Sequence, residues 1–466
     1  MSNITAGIIH LGLGAFFRAH GAVYVQEAHD LESGNWGIIG VSLRSPAVRD
    51  TLQARNWAYT ALEMGARGLI PKDISILQDV LVGPESEQLV LDAMIDEQVK
   101  IVSLTVTEKG YCLASSDGAL DLDHPDIRHD LANEVPRSAP GYLVRALQER
   151  KRRGVRPFTV MSLDNLPNNG SRVRAAVLEL AKKIDPSLAD WIAAQGCFPS
   201  TMVDRIVPAT TDTLIEHARN QFGIEDAGLV GHEPFRQWVI EDNFVDGVRP
   251  NFERVGAQFV NDVTAFEHMK LRMLNGTHSS LAYLGALAGY RSVDEACADP
   301  TIIGFLNHLW NKEIIPTLTP PEATNLKSYA SSLLKRYQNP AIRHRLEQIA
   351  MDGSQKLPQR ILGTINDNTS AHRPSAGLVL ALAGWVRFLE GQDDMGQPLE
   401  VSDPLKDQLQ SLLRNCATRT ELVHGLLNVK AIFADTATEQ LAPALLNALE
   451  ALDRDGALKS MQKVQS

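Results

Sequence analysis

The chain has 466 residues. At roughly 150 residues per domain, this length suggests two or three domains. Hydrophobic residues make up 44% and charged residues 22%, a balance that permits a large core and argues against wholesale disorder. The formal net charge is −11, from 45 basic and 56 acidic side chains, and this disfavours binding to nucleic acid or to an anionic membrane. A local basic pocket for a small anion is compatible with this negative net charge.

The cysteines and the apolar runs indicate in which cellular compartment we expect the protein. Cys112, Cys197, Cys297 and Cys416 are far apart and form no C-x-x-C pair, so we expect neither a disulfide framework nor a structural zinc site. The N-terminus lacks a basic region followed by an apolar run, and the longest apolar run, residues 376–386, is shorter than the ~20 residues of a membrane helix. We therefore expect a reduced, cytoplasmic protein without membrane association.

The N-terminal region has the pattern of a strand, a glycine turn, a helix and a second strand. Residues 7–11 are apolar, Gly12-Leu13-Gly14 follows, residues 15–28 carry apolar and small side chains at helical spacing, and residues 36–43 are again apolar. This succession predicts a βαβ unit.

Strands and helices continue to alternate up to about residue 262. We predict strands at 100–106 and 157–162, an edge strand at 79–82, and helices at 141–153 and 171–183. No long period-2 alternation occurs between the second strand and residue 100. The alternation favours a mostly parallel, doubly wound sheet.

After residue 262 the pattern is helical. The predicted helices are 266–287, 300–310, 327–337, 340–351, 375–392, 403–413 and 438–452. We therefore predict an α/β domain with a Rossmann-type doubly wound sheet over residues 1–262, followed by a mostly α-helical domain over residues 263–466.

The glycine turn is a candidate dinucleotide site. Gly12 and Gly14 lie where a strand passes into a helix, so that a pyrophosphate can approach the backbone at a helix N-terminus. Phe17 stands where the third glycine of G-x-G-x-x-G would be, and a tight turn without a ligand is the alternative interpretation. Arg44, after the second strand, either contacts the extra phosphate of NADP or is a solvated arginine, so the choice between NAD and NADP stays open.

A second constellation opens the helical half. Lys270, Asn275 and His278 have the spacing K-x4-N-x2-H, which can place all three on one side of a helix. A lysine amine can take a proton from an alcohol, an asparagine amide can donate to the oxygen as its charge develops, and a histidine can orient or donate. A solvated helix lysine is the alternative for Lys270.

Polar residues also follow two predicted strands. Thr107, Glu108 and Lys109 follow one, and Asp164 and Asn165 follow the other. The carboxyl ends of parallel strands are where doubly wound sheets bind ligands.

Two further charged segments are ambiguous. Asp204 and Arg205 lie between apolar residues and form either a structural ion pair or part of a site. Residues 352–360 are predicted to be a loop with a cation on each side of a proline, Lys356 and Arg360. These cations either contact a helix C-terminus or clamp a carboxylate.

Several of these segments resemble blocks of the polyol-specific long-chain dehydrogenases, also called the mannitol dehydrogenase family. The blocks are residues 9–20 (IHLGLGAFFRAH), 107–111, 164–165, 201–208, 233–244 (EPFRQWVIEDNF) and 270–278, in the family's order and over nearly the whole chain. Phe17 departs from the histidine common at its position, with little expected consequence.

The resemblance implies a Rossmann-type domain, a helical domain and metal-independent hydride transfer between a secondary alcohol and NAD, with NADP not excluded. It implies that Lys270 is the general acid/base, that Asn165 and Asn275 polarise the reacting oxygen, and that His278 and Asp204 position the substrate or tune the lysine. The implied cofactor contacts are Gly12, Gly14, Phe16, Arg18, Arg44, Thr107 and Glu108.

The substrate is a sugar acid or a polyol. Residues 107–112 (TEKGYC) and 351–360 (MDGSQKLPQR) are similar to fructuronate reductases, also called D-mannonate oxidoreductases, whereas residues 40–44 are closer to the polyol enzymes. A substrate carboxylate would be neutralised by Lys356, Arg360 or Lys109.

We therefore expect interconversion of D-fructuronate and D-mannonate. The alternative is a mannitol 2-dehydrogenase or a related enzyme of arabinitol or sorbitol. A cofactor-binding paralogue without catalysis is disfavoured by the complete set of polar residues. Whether the protein is a monomer or a small homo-oligomer stays open.

Overall fold

The computed structural model describes residues 4–114 and 118–465. The chain divides into a compact first unit that ends at Thr264 and a second unit that begins at Ala265. Within the described ranges, none of the helices combines the length and apolar character that crossing a membrane requires.

The described strands of the first unit, within residues 4–114 and 118–264, form three sheets. The strands are β1 (Ala6–Leu11), β2 (Gly37–Ser42), β3 (Tyr59–Gly65), β4 (Gly68–Ile74), β5 (Leu77–Val82), β6 (Ile101–Leu104), β7 (Thr159–Ser162), β8 (Thr201–Asp204), β9 (Val230–His232), β10 (Gln237–Glu241) and β11 (Gln258–Val260). The main sheet has the order β5-β2-β1-β6-β7 and is parallel throughout. Two three-stranded sheets, β11-β10-β8 and β4-β3-β9, accompany it.

The strand order of the main sheet reverses between β1 and β6. The chain builds outward from β1 through β2 to β5, and then returns to the other side of β1 with β6 and β7. In doubly wound sheets, ligands bind beyond the carboxyl ends of the strands at such a reversal. The segments after β1 and β6 are therefore the expected ligand-binding edge.

Both faces of the main sheet are covered by apolar cores. On β1, Ile9 and Leu11 belong to one buried cluster, whereas Ile8 belongs to another. Alternate side chains of a strand point to opposite faces, so a strand covered on both sides is apolar along its whole length. This explains the continuous apolar runs that identified β1 and β2 in the sequence.

The helices of the first unit connect and cover these strands. They are α1 (Ala15–Ala19), α2 (Gly21–Leu31), α3 (Ala47–Gln53), α4 (Glu87–Ile95), α5 (Thr107–Gly110), α6 (Pro125–Ala132), α7 (Ala139–Arg152), α8 (Asn169–Ile184), α9 (Pro186–Gln195) and α10 (Asp212–Phe222). Short 3₁₀ turns lie at Gly83–Glu85, Val245–Gly247 and Phe252–Val255.

The second unit is helical. Its helices are α11 (Thr264–Met269), α12 (Thr277–Leu287), α13 (Val293–Ala296), α14 (Pro300–His308), α15 (Leu326–Tyr337), α16 (Leu346–Ala350), α17 (Gly353–Leu357), α18 (Gly363–Ser370), α19 (Ala376–Phe388), α20 (Lys406–Asn415), α21 (Arg419–Leu427), α22 (Lys430–Phe433) and α23 (Thr438–Gln465), with a 3₁₀ turn at Ile315–Thr317. Three wider, π-helical segments interrupt them at Lys270–Gly276, Leu309–Ile314 and Pro358–Leu362.

The centre of the second unit is formed by α12 and α19. Every residue of α12 is buried, and so are eleven of the thirteen residues of α19. The apolar run 376–386 is therefore a core helix. The predicted fold class, a doubly wound α/β region followed by a mostly helical one, is confirmed.

Two predictions for the first unit were wrong in detail. The helix predicted over 15–28 is broken at His20, whose buried ring nitrogen Nε2 bonds to the Gln237 carbonyl oxygen and whose backbone is not helical. The β3–β4 hairpin was missed because Tyr59, Thr60, Ala61 and Leu62 of β3 are all buried and show no alternation. Periodicity cannot identify a strand of this kind.

Two predictions for the second unit also fail. Of the helix predicted over 340–351, only α16 forms, since the Asn339 side chain accepts from the Ala341 amide in a turn beside Pro340. Residues 353–362 are helical rather than a loop. The Asp403 carboxylate accepts from the Ser354 amide at the start of α17 (2.8 Å), and the widened turn that begins at Pro358 accommodates a proline in the middle of the helix.

Candidate active site

Gly12 follows β1 directly and has φ +91°, a conformation that favours glycine. A Cβ there would lie 2.2 Å from the Thr105 carbonyl oxygen. The Gly12 amide donates to the Val41 oxygen (2.8 Å), and the Thr105 hydroxyl donates to the Gly12 oxygen (2.6 Å). Gly14 is exposed, and apart from its chain neighbours the nearest atom to a Cβ built there is 3.8 Å away. The turn therefore leaves space beside Gly14 at the sheet's reversal point, and the binding of a phosphate there stays a prediction.

Phe17 supports the Gly12 turn by packing against His10 of β1. Its ring stacks on that of His10 with centroids 3.3 Å apart. The two His10 nitrogens bond to the hydroxyls of Ser103 and Thr105, each at 2.9 Å. Burial lowers the pKa of His10 to about 3, so the ring is neutral. The residue at the third-glycine position is thus a core residue that fixes the end of β1.

Arg18 and Phe16 have contacts within the first unit. Arg18 Nη1 donates to the Gly228 oxygen (2.5 Å), and its guanidinium lies over the Tyr59 ring. Phe16 stacks on His20 with centroids 5.1 Å apart. These contacts give both side chains a structural role, and cofactor binding by them stays a prediction.

Asp164 connects the ends of β6 and β7. Its carboxylate accepts from the amides of Val106 (3.0 Å) and Thr107 (2.9 Å) and from the Tyr111 hydroxyl (2.6 Å). Thr107 has φ +63°, which is unfavourable for a non-glycine residue. Burial raises the pKa of Asp164, although these three hydrogen bonds oppose the rise. Asp164 therefore holds the turn after β6 in a strained shape.

Five predicted site residues are exposed near the carboxyl ends of three parallel strands. Thr107, Glu108 and Lys109 follow β6, Asn165 follows β7, and Arg44 follows β2. Because β6 and β7 are neighbours, the first four lie at adjacent strand ends. The ligand roles assigned to these residues stay predictions.

Asp204 lies in a different sheet of the first unit. It ends β8, is 4% exposed and pairs with Gln237 of β10. Its neighbour Arg205 donates to the backbone oxygens of Ala19 (2.7 Å) and Glu233 (3.2 Å), and burial lowers the pKa of Arg205 to about 10. Arg205 therefore has a structural role, and substrate contact by Asp204 stays a prediction.

In the second unit, Lys270 and Asn275 lie on the π-helical segment Lys270–Gly276, and His278 lies just after it. Lys270 and Asn275 are 8% exposed and His278 is 7% exposed. The K-x4-N-x2-H spacing therefore brings three polar groups into one buried stretch of a continuous helical segment.

Side chains from other helices stabilise the carbonyls of this wide turn. The Met273 oxygen accepts from Trp310 Nε1 (2.9 Å) and from the Thr277 hydroxyl (2.6 Å). The Leu274 oxygen accepts from the Tyr337 hydroxyl (3.0 Å). A π-helical turn departs from the regular i→i+4 ladder, and such turns occur often at functional sites. Here it is fixed by buried donors.

His278 packs among other rings. It stacks on Tyr337 with centroids 4.6 Å apart and meets the His344 ring edge-on at 5.6 Å. Its Nε2 is buried and bonds to no group in the described part of the chain. Burial, and then the positive charges of His344, Arg336 and Arg360, lower the pKa of His278 well below its usual range. The ring is neutral and retains a polar atom for a ligand.

The charges that surround His278 are cationic. Arg336 is 8% exposed on α15, and Arg360 Nη1 donates to the Ser279 hydroxyl (3.2 Å). A Cβ on Gly276 would lie 2.7 Å from the Arg360 oxygen, so glycine allows the two π-helical segments to touch. The structure thus places Arg360 next to the Lys270–His278 stretch.

Lys356 is one turn before Arg360. Its Nζ donates to the Met351 oxygen (2.6 Å), and its charge contributes, after burial, to a lowered pKa of His344. Sequence reasoning missed Arg336, Tyr337 and His344, which come close to His278 only through the fold.

Comparison with known proteins gives a consistent result. The mannitol dehydrogenase Rossmann domain model matches residues 6–254, and the mannitol dehydrogenase C-terminal domain model matches residues 262–453. The chain is 45% identical over 444 residues to D-mannonate oxidoreductase of Escherichia coli, covering 93% of this chain and 90% of that protein. It is 39% identical over 473 residues to mannitol 2-dehydrogenase of Aspergillus terreus, covering 99% and 93%.

A solved structure agrees with the family models and with the two relatives. The ternary complex of Pseudomonas fluorescens mannitol 2-dehydrogenase with NAD and D-mannitol has a TM-score of 0.89 and 36% identity, covering 99% of this chain and 95% of that one. The family models match most of the chain, and the relatives are matched over nearly their full length. The chain therefore belongs to the mannitol dehydrogenase family of oxidoreductases.

Proposed function

We propose that this protein is an NAD-dependent oxidoreductase that interconverts a keto sugar acid and its alcohol, D-fructuronate and D-mannonate. The observation that supports the choice of a sugar acid is the position of Arg360, whose Nη1 donates to the Ser279 hydroxyl (3.2 Å) directly after His278. Arg336 is a second cation close enough to act on the His278 ring. A planar guanidinium matches a carboxylate in geometry and charge, which the hydroxyl groups of a neutral polyol do not. The relative named D-mannonate oxidoreductase supports the same choice.

The Gly12–Gly14 turn fits a dinucleotide. It lies at the reversal point of the sheet, and no Cβ obstructs the approach of a phosphate to its backbone. When bound, the nicotinamide supplies or accepts the hydride. The exposed Arg44 after β2 would favour an additional phosphate, so NADP is the alternative cofactor.

We assign the proton transfer to Lys270. This lysine is almost completely buried, so a bound alcohol can pass its proton directly to the amine, which afterwards releases it to solvent. Asn165 and Asn275 are proposed to donate to the reacting oxygen, which gains negative charge during hydride loss. His278 and Asp204 are proposed to orient the substrate. The proposal needs no metal ion at the reacting oxygen.

A substrate panel tests the proposal. Purified protein with NADH is assayed with D-fructuronate and with D-fructose under identical conditions. One charged hydrogen bond contributes about 1.5–3 kcal/mol, so we expect kcat/KM to favour the acid by at least tenfold, and about a hundredfold if both arginines contribute. A ratio at or below one would contradict the proposed substrate.

Mannitol 2-dehydrogenase activity is the second candidate. The similarity to the Pseudomonas fluorescens enzyme in complex with NAD and D-mannitol favours it. The same panel, extended to D-mannitol, D-arabinitol and D-sorbitol with NAD, tests this candidate in the oxidative direction.

A further inference from the structure

A side-chain cluster outside the proposed active site combines sulfur, nitrogen and oxygen. The candidate ligand atoms of Cys112, His124 and Asp126 all lie within 4.8 Å of one another. Cys112 is buried, and the other two are partly exposed. Within the described ranges, these three side chains are the group of His, Cys, Asp or Glu residues that lie close enough together to hold one metal ion.

The local fold brings these residues together. Cys112 has φ +53°, and its carbonyl oxygen accepts from the Asp121 amide (2.8 Å). Leu113 and Leu120 form an antiparallel bridge next to this pair. The chain then turns at His124, just before α6 begins at Pro125. The spacing C-x11-H-x-D therefore becomes a compact cluster that the sequence alone does not indicate.

We propose that Cys112, His124 and Asp126 bind one divalent ion of the Zn²⁺ class. Thiolate, imidazole and carboxylate are the three ligand types that Zn²⁺ takes in proteins, and three protein ligands leave a fourth tetrahedral position for water. The partly exposed His124 and Asp126 give the ion a route from solvent. Binding releases the thiol proton to solvent and leaves the oxidation state of the metal unchanged.

The surroundings carry negative charge that favours a cation. Besides Asp126, the carboxylates of Asp130 and Asp121 lie close enough to the Cys112 thiol to act on it electrostatically. The same carboxylates attract a divalent ion. His124 Nδ1 accepts a long hydrogen bond from the Asp126 amide (3.2 Å), which a stronger metal–nitrogen bond can replace. An ion here would tie the segment after α5 to the first turn of α6.

Metal titration tests the proposal. Full-length protein, treated with a chelator and dialysed, is titrated with Zn²⁺ against a chromophoric chelator and, separately, with Co²⁺. We expect one equivalent of Zn²⁺ to bind, and a thiolate-to-cobalt charge-transfer band to appear at one equivalent of Co²⁺. The cobalt spectrum of the unmodified protein needs no variant and so does not depend on how a variant folds.

Variants then locate the site. Cys112→Ser should abolish the charge-transfer band and weaken Zn²⁺ binding at least about tenfold, and Asp126→Asn should weaken binding while keeping the band. Cys197→Ser and Cys416→Ser, at the two partly exposed cysteines, are matched controls that should change neither. Absence of the band in the unmodified protein, or its survival in Cys112→Ser, would overturn the proposal. Oxidoreductase activity is not the readout, so the proposed function is tested separately.

Discussion

The two units present their candidate functional groups in opposite ways. In the first unit, the groups beside the main sheet are exposed at strand ends, and the main chain determines their placement through the Gly12 turn and the Asp164 hydrogen bonds. Asp204, in another sheet of this unit, is buried. In the second unit, Lys270, Asn275 and His278 are buried side chains on a widened helical segment. A site built from the backbone suits a ligand with phosphates, whereas buried side chains suit proton transfer and charge recognition.

This difference predicts different consequences of substitution. Changes at the backbone-built edge should affect the stability of the first unit together with cofactor binding. Changes among the buried polar groups of the second unit should affect turnover or substrate choice while cofactor binding remains. Each prediction below tests one side of this contrast.

The largest effect is expected at Lys270. Lys270→Met keeps the length and apolar stem of the side chain but removes the amine, so kcat should fall by about 10²–10⁴. NADH binding, measured by fluorescence titration, should remain within about twofold. Lys312→Met, at an exposed lysine on another π-helical segment, is the matched control and should keep full activity. Turnover of Lys270→Met within tenfold of the unmodified protein would contradict the assignment.

Acid should destabilise the first unit through buried histidines. Burial, as the main cause, lowers the pKa values of His10, His20 and His232 from 6.5 to about 3. Between those values the unfolded chain binds more protons than the folded one, so the free energy of unfolding decreases as pH falls below about 6.5. The loss is at most about 4 kcal/mol per pH unit for three histidines.

Denaturant unfolding at pH 7, 6 and 5 measures this dependence. The His10→Gln variant should show a shallower decrease, because one titrating group is removed. An unfolding free energy that stays constant from pH 6.5 to 5 would show that these rings are not held neutral.

Gly12 and Gly14 should respond differently to alanine. Gly12→Ala places a Cβ 2.2 Å from a carbonyl oxygen at positive φ, so we expect a loss of about 1–3 kcal/mol of stability and weaker NADH binding. Gly14→Ala, at φ −83° with open space, should preserve the unfolding free energy. Thermal and denaturant unfolding measure the free energy of unfolding of both variants. Equal values for Gly12→Ala and Gly14→Ala would contradict the role given to Gly12.

A smaller effect is expected at Asp164. Asp164→Asn cannot accept all three hydrogen bonds, and the turn at Thr107 should relax at a cost of about 1 kcal/mol. We expect a raised KM for NADH with kcat changed less. Asp190→Asn, at an exposed aspartate on α9, is the control and should leave both stability and the KM for NADH unchanged. An unchanged KM for NADH would mean that this turn does not contribute to cofactor binding.

Much of the first unit was predictable because its signals are local. The apolar run of β1, the glycines of the turn and the polar residues after β6 and β7 are all contiguous in sequence. The role of Asp164 was not predictable, because its partners Val106 and Tyr111 belong to another strand end. The break at His20 depends on packing against the distant β10, which a helical periodicity does not reveal.

The second unit was predictable in its helices but less so in its site. Lys270, Asn275 and His278 are readable as a spacing, yet the π-helical turn that carries the first two arises from donors on other helices. Arg336 and His344 reach His278 only after long-range packing. The sequence of residues 353–362 did not predict a helix, because a proline such as Pro358 usually ends one.

The proposal that cations near His278 recognise a substrate carboxylate is tested by the ratio of kcat/KM for D-fructuronate to that for D-fructose in Arg360→Gln. We expect this ratio to fall about 10–100-fold from that of the unmodified protein, since a charged hydrogen bond is lost for one substrate only. The rate with D-fructose is the internal control and should change little. An unchanged ratio, with both rates reduced equally, would contradict the claim.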